Sequence, residues 1–168
     1  MNKDSKHYIP LIVTVGQVVI FPYYIIWLKQ VSFSYTLFAW LFALFSFAAA
    51  WGYRSFQSKK RTSKHFIPFV YLIMGTAYLL VGLMNLSSQW LPYAALFLQI
   101  LLGFLQGYFR AWHSVQKSYR LHVANHYLLV GFVMIGLSFI KVVSPAVFLS
   151  LFGVVLVACG GLGIFKSK

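Results

Sequence analysis

Six long apolar runs, separated by short polar segments, dominate the pattern along this chain. They cover approximately residues 8–28, 32–51, 66–84, 91–112, 121–140 and 146–165. Each run has close to the roughly 20 residues that a helix needs to cross the hydrocarbon core of a bilayer. None alternates apolar and polar residues with a period of two, which disfavours a β-barrel. The pattern predicts an all-α, polytopic membrane protein in which residues 1–168 form a single domain of six transmembrane helices.

The composition supports this interpretation and bears on the partners of the chain. It is 61% hydrophobic and 20% aromatic, and it carries 14 Lys and Arg against one acid, Asp4. A net charge of +13 would suggest nucleic acid if the basic residues formed one face of a soluble fold. Here they lie between apolar runs, so we expect the lipid bilayer, and no nucleic acid, as the partner.

The basic residues are distributed unequally among the segments that connect the runs. Twelve of the 14 Lys and Arg fall in the two terminal segments and the second and fourth loops, and the other two in the first and fifth loops. Because Lys and Arg are enriched on the cytoplasmic side, both termini are predicted to be cytoplasmic. The short lysine-rich loops suit a multi-pass protein of a bacterial plasma membrane. The second loop region is the most basic, with Arg54, Lys59, Lys60, Arg61 and Lys64.

Catalytic and metal sites are not indicated by the polar residues of the chain. An enzyme needs titratable groups that converge in a pocket, and a chain with one acid offers few of them. His122 and His126 have the spacing of two ligands on a helix, but no third ligand is evident. We therefore expect no enzymatic activity, no cofactor and no metal.

The fourth apolar run carries one ordered polar feature. Gln99, Gly103, Gln106 and Arg110 are spaced so that they share one helix face. That face could line a path for a solute, with the amides offering hydrogen bonds and Arg110 attracting an anion. It could instead be a packing face, since Gly103 and Gly107 form a G-x-x-x-G pattern that lets two helices approach closely. Small and polar stripes more often serve packing in lipid.

Gln17, in the first run, is a further candidate for lining a solute path, and it has the same two interpretations. A lone amide in a membrane helix often forms a hydrogen bond to a neighbouring helix. Proton coupling by this chain alone is not expected, because none of the six runs contains Asp or Glu.

Two stretches resemble the major facilitator superfamily. The segment SYTLFAWLFALFSFAAAWGYRSFQSKKR is similar to the second helix and following loop of that family, whose loop motif is G-x-L-x-D-R-x-G-R-K/R. Gly52 occupies the leading glycine of the motif, and Lys60 and Arg61 occupy the closing basic pair. Arg54 stands at the aliphatic position and Phe56 at the aspartate. In the family this loop helps to hold the two halves of the transporter together through charge.

The fourth run extends the resemblance. Its segment LQILLGFLQGYFRAW is similar to the fourth helix of proton-coupled drug exporters of the family, which carries R-x-x-Q-G-x-x-x-A. Gln106, Gly107 and Ala111 match this motif, and Gly103 occupies the arginine position. The layout of six helices with both termini inside corresponds to the N-terminal half of a family member.

Two functions are consistent with these features. The resemblance implies half of a transporter that moves a small solute as a homodimer or together with another membrane subunit, because the family is built from two parallel repeats. The alternative is a non-transporting accessory, scaffold or immunity protein that binds another membrane complex.

Overall fold

The chain forms only helices wherever its structure is described. A computed structural model describes residues 5–31, 34–58, 66–84, 90–115, 123–138 and 144–165. Within these ranges there are six helices and no strand, which confirms the predicted all-α class. The helices are α1 (Ser5–Val31), α2 (Tyr35–Ser58), α3 (Ile67–Leu83), α4 (Leu91–Ser114), α5 (Val123–Ser138) and α6 (Pro145–Phe165).

Four helices are long and apolar enough to span a membrane, as expected of a membrane-embedded protein. Their candidate spans are Ile9–Val31, Tyr35–Ser58, Leu91–Ser114 and Pro145–Phe165. The other two apolar helices are shorter, with apolar segments Ile67–Leu83 and Leu128–Leu137. The prediction of helices thus holds for all six runs, and four of the six helices are both long and apolar enough to cross a membrane.

Proline marks the beginning of three helices. It lies in the first turn of α3 and of α4, and Pro145 is the first residue of α6. The first turn tolerates proline because the missing N–H would have no partner within the helix there. Helix α1 differs, since Pro10 and Pro22 both lie inside it.

Helix α2 extends further than its apolar run. The sequence placed Gly52 and Arg54 in the loop after the second helix, whereas both lie within α2, which continues to Ser58. The extension contains no proline, and the ring of Phe56 packs against that of Tyr108 in α4, with centroids 5.3 Å apart. Gly52 is buried where its backbone meets the carbonyl of Phe104. Contact with α4 therefore stabilises the helix beyond the end of the apolar pattern.

Helices α3 and α6 form one closely packed antiparallel pair. A Cβ at Gly75 would lie 2.7 Å from the carbonyl oxygen of Gly153, and a Cβ at Gly153 would lie 2.8 Å from that of Gly75. Further along α3, Gly82 meets Ser150, so residue numbers rise along one helix as they fall along the other. Glycine at these positions permits backbone contact that any larger residue would block.

Helices α2 and α4 form a second close pair, in which the two chains run in the same direction. A Cβ at Gly103 would lie 2.5 Å from the carbonyl oxygen of Phe45, and Gly107 lies against the carbonyl of Ala49. The G-x-x-x-G pattern of α4 is thus a packing surface for α2, as one of the two interpretations of the sequence predicts.

Helix α1 joins the two pairs. It runs antiparallel to α6, since the ring of Tyr23 contacts that of Phe148 at 4.2 Å between centroids and Gly16 lies against Phe152. It also contacts α4 and α5. The buried apolar cluster draws on α1, α3, α4 and α6, with Leu41 from α2. The centre of the bundle therefore lies between α1, α3, α4 and α6, with α2 and α5 at its periphery.

A candidate solute-binding column between helices α1, α3 and α4

The polar face of α4 contains two buried glutamines, and each is hydrogen-bonded to a tyrosine of a neighbouring helix. Gln99 is 1% exposed, and its Oε1 accepts a hydrogen bond of 3.0 Å from the hydroxyl of Tyr24 in α1. Gln106 is 9% exposed, and its Nε2 donates to the hydroxyl oxygen of Tyr78 in α3 at 3.0 Å. An amide buried without a partner costs about 1–3 kcal/mol, and these pairings reduce that cost.

The two hydrogen-bonded pairs are also in contact with each other. The rings of Tyr24 and Tyr78 meet edge to face, with centroids 6.0 Å apart. Through this ring contact the four side chains form one connected cluster between α1, α3 and α4. We call the set of Tyr24, Tyr78, Gln99 and Gln106 the polar column. It is uncharged, and its amides and hydroxyls supply both donors and acceptors.

The glycines and the arginine of the predicted α4 face have other environments. Gly103 and Gly107 are buried against the backbone of α2, so they border the column without lining it. Arg110 is exposed in the last turns of α4, one helical turn beyond Gln106. The face predicted from the sequence therefore divides into a glycine edge towards α2, a glutamine edge towards α1 and α3, and an exposed cation at the end of the helix.

Gln17 lies in α1, apart from the hydrogen-bonded pairs. Its Nε2 is buried and has no hydrogen-bond partner among the described residues, and the same is true of the hydroxyl of Tyr71 in α3. In native structures such atoms are uncommon and call for an explanation.

The residues assigned to the second loop, Gly52 and five basic residues, fall into two groups. Gly52 and Arg54 belong to α2, where Gly52 is buried and Arg54 is exposed. The remaining members of the predicted motif lie outside the described residues, namely Lys59, Lys60, Arg61 and Lys64.

Three tyrosines with a place in or beside this site were not selected from the sequence. Tyr24, Tyr71 and Tyr78 count as hydrophobic residues within the apolar runs, so the pattern of hydropathy does not reveal their hydroxyls. A signal was present in the spacing, because Tyr24 follows Gln17 by seven residues and Tyr78 follows Tyr71 by seven. Residues seven apart lie on nearly the same helix face, two turns from each other.

No metal centre is found in the part of the chain that the structure describes, where no three His, Cys, Asp or Glu side chains come together. Comparisons with protein-family models, with curated proteins and with solved structures found no match.

Proposed function

We propose that this chain moves a small solute across a membrane as one half of a two-part transporter, arranged like half of a major facilitator protein. The polar column carries the proposal. Gln99 and Gln106 are buried at the centre of the bundle and are held by tyrosines of two other helices. Polar groups inside a membrane domain are costly, and they commonly mark the pathways of substrates.

Six membrane crossings with both termini in the cytoplasm form part of this proposal. Helices α2 and α4 run in the same direction, so the chain between them has to return across the bundle, and α3 makes that return. Helix α3 has 17 residues, at the lower end of the range of about 17–25 that suffices to span. The distribution of Lys and Arg supports the cytoplasmic placement and suits a bacterial plasma membrane.

A two-part assembly supports the transport proposal physically, because transporters of this kind place the solute between two repeats. A second copy of the chain, or another membrane subunit of similar architecture, would supply the other half. We therefore expect the purified protein to form an even oligomer in mild detergent.

Flux through reconstituted vesicles tests the proposal. Wild-type protein should give saturable uptake of at least one solute in a broad panel, and Gln106→Ala and Arg110→Ala should reduce it. Gln30→Ala is the matched control, since Gln30 is an exposed amide at the end of α1. A monomer that gives no flux across the panel would contradict transport, as would equal losses in the control and in Gln106→Ala.

The alternative function is that of a non-transporting accessory, scaffold or immunity protein, and the surface of α5 favours it. Most side chains described along this helix are exposed, among them Leu128, Phe132 and Ile135. A Cβ added at Gly131 or Gly136 would meet nothing within 4 Å. If α5 binds a larger membrane complex, extraction in mild detergent should recover a stoichiometric partner. Recovery of this chain alone would count against that function.

A further inference from the structure

Two buried polar atoms on the helices that carry the tyrosines of the polar column have no hydrogen-bond partner in the described structure. They are the Nε2 of Gln17 on α1 and the hydroxyl of Tyr71 on α3. Tyr71 is 3% exposed, so neither bulk water nor lipid headgroups reach most of its surface. Each atom has hydrogen-bonding capacity that the neighbouring helices leave unused.

Both atoms continue the faces that form the column. Gln17 precedes Tyr24 by seven residues, and Tyr71 precedes Tyr78 by seven, so each lies two turns from a tyrosine of the column on nearly the same face. Helices α1 and α3 both run antiparallel to α6, and they therefore run in the same direction. The two unpaired atoms consequently lie on the same side of the tyrosine pair.

Both atoms lie towards the end of the bundle at which α4 terminates. The ring of Tyr71 contacts the ring of Phe109, with centroids 5.5 Å apart, and Phe109 precedes the exposed Arg110. With the proposed topology this is the cytoplasmic end. The unpaired hydroxyl of Tyr71 therefore belongs to a side chain that packs against α4, and the amide of Gln17 lies in the same half of the bundle, on the face of α1 that carries Tyr24.

The absence of charged residues from the polar column bears on whether a bound solute is charged or neutral. Its members are uncharged, and the only acid of the whole chain is Asp4. Arg110, one helical turn beyond Gln106, is exposed, so a charged solute at this depth would meet no counter-charge among the described residues that is itself buried. An unpaired buried charge costs far more than a hydrogen-bonded neutral group. A neutral solute avoids this cost.

We propose that Gln17 and Tyr71 bind a small uncharged solute that carries hydroxyl or carbonyl oxygens. This inference rests on the proposed transport function and names the chemical class of its substrate. The amide of Gln17 donates a hydrogen bond to an oxygen of the solute, and the hydroxyl of Tyr71 donates or accepts a second. The ring of Phe109 packs against the apolar part of the solute.

A matched set of polyols tests the inference. Sorbitol is neutral, gluconate is its anionic counterpart, N-methylglucamine is its cationic counterpart, and glycerol is a smaller neutral probe. Binding is measured in detergent by the intrinsic tryptophan fluorescence of the full chain, and flux is measured separately in vesicles. Tyr71→Phe and Gln17→Leu each remove one unpaired polar group, so we expect both variants to remain folded, as circular dichroism would verify. Tyr93→Phe is the control, because Tyr93 is exposed.

The expected result is saturable binding of sorbitol or glycerol and none of the charged probes. Tyr71→Phe and Gln17→Leu should each weaken it roughly five- to tenfold, the effect of losing one neutral hydrogen bond, and Tyr93→Phe should leave it unchanged. Binding of gluconate or N-methylglucamine as tight as that of sorbitol would overturn the inference.

The remaining outcomes separate the inference from the proposed function. If no neutral probe binds, or if both variants bind as the wild type does, Gln17 and Tyr71 are not a site for neutral solutes, even where vesicles transport some charged compound. If neutral probes bind with the expected losses but vesicles give no flux, the binding site stands and the transport function fails.

Discussion

Replacement of Gly153 by alanine should loosen the α3–α6 pair, and its contacts allow the effect to be estimated. An added Cβ would lie 2.8 Å from the carbonyl oxygen of Gly75, 2.9 Å from Cγ of Leu79 and 3.0 Å from the backbone nitrogen of Leu79. A carbon approaches a carbonyl oxygen to about 3.3 Å even in a weak C–H···O contact, so the helices would have to separate by about 0.5 Å. Because two of the three atoms belong to the backbone, a change of rotamer does not remove the clash.

The free-energy change follows from two opposing effects. A separation of about 0.5 Å forfeits roughly a quarter of the attraction at each affected contact, and overpacked sites typically lose about 1–3 kcal/mol. Alanine has the higher helix propensity, which returns at most about 1 kcal/mol. We expect Gly153→Ala to lower the free energy of unfolding by about 1–2 kcal/mol.

Titration with sodium dodecyl sulfate in mixed micelles, followed by circular dichroism, would measure this difference. The control is Gly161→Ala in the same helix, where an added Cβ would meet nothing within 4 Å. It should unfold at the same detergent fraction as the wild type or slightly later. The reasoning would be refuted if Gly153→Ala were as stable as the wild type, or if both variants lost the same amount.

Two further predictions concern the column and the topology. A double-mutant cycle with Tyr78→Phe and Gln106→Leu should give a coupling of about 0.6 kcal/mol in the free energy of unfolding, the average for hydrogen bonds between membrane helices. Strictly additive losses would mean that the observed hydrogen bond contributes nothing. In a Cys159→Ala background, a cysteine at Ser88 should react with an impermeant maleimide from outside, and one at Ser58 only after permeabilisation. The opposite labelling pattern would invert the proposed orientation.

The helices could be predicted from the sequence, because a helix that crosses a bilayer needs an apolar run of about 20 residues. The ends of the helices could not be predicted in this way. Predicted segment 32–51 ends at the charged stretch that begins with Arg54, and hydropathy alone suggests a loop there. Helix α2 continues to Ser58 because Phe56 packs against Tyr108 of a helix that is distant in sequence. Tertiary contacts of this kind leave no local pattern.

The candidate site could be predicted only in part, because it too depends on contacts between helices that are distant in sequence. The spacing along α4 identified Gln99 and Gln106 as neighbours on one face, which is a property of a single helix. Their partners, Tyr24 and Tyr78, depend on how α1 and α3 are placed around α4. The glycine pairing of α3 with α6 depends on tertiary placement in the same way, since Gly75 and Gly153 are far apart in sequence.

The two interpretations of the α4 face apply to different edges of the same helix. Gly103 and Gly107 hold α4 against α2 through backbone contacts, whereas Gln99 and Gln106 are turned towards the tyrosines of α1 and α3. Close packing of the two helix pairs rests on glycines, so it does not require the polar column. Substitution of the glycines should therefore act mainly on stability. Conservative substitution of a glutamine leaves one buried tyrosine hydroxyl without its partner, so it should cost about 1–3 kcal/mol of stability, and it should also weaken the binding of the solute. If the glutamines serve packing alone, their substitution should lower stability and leave solute binding and flux unchanged.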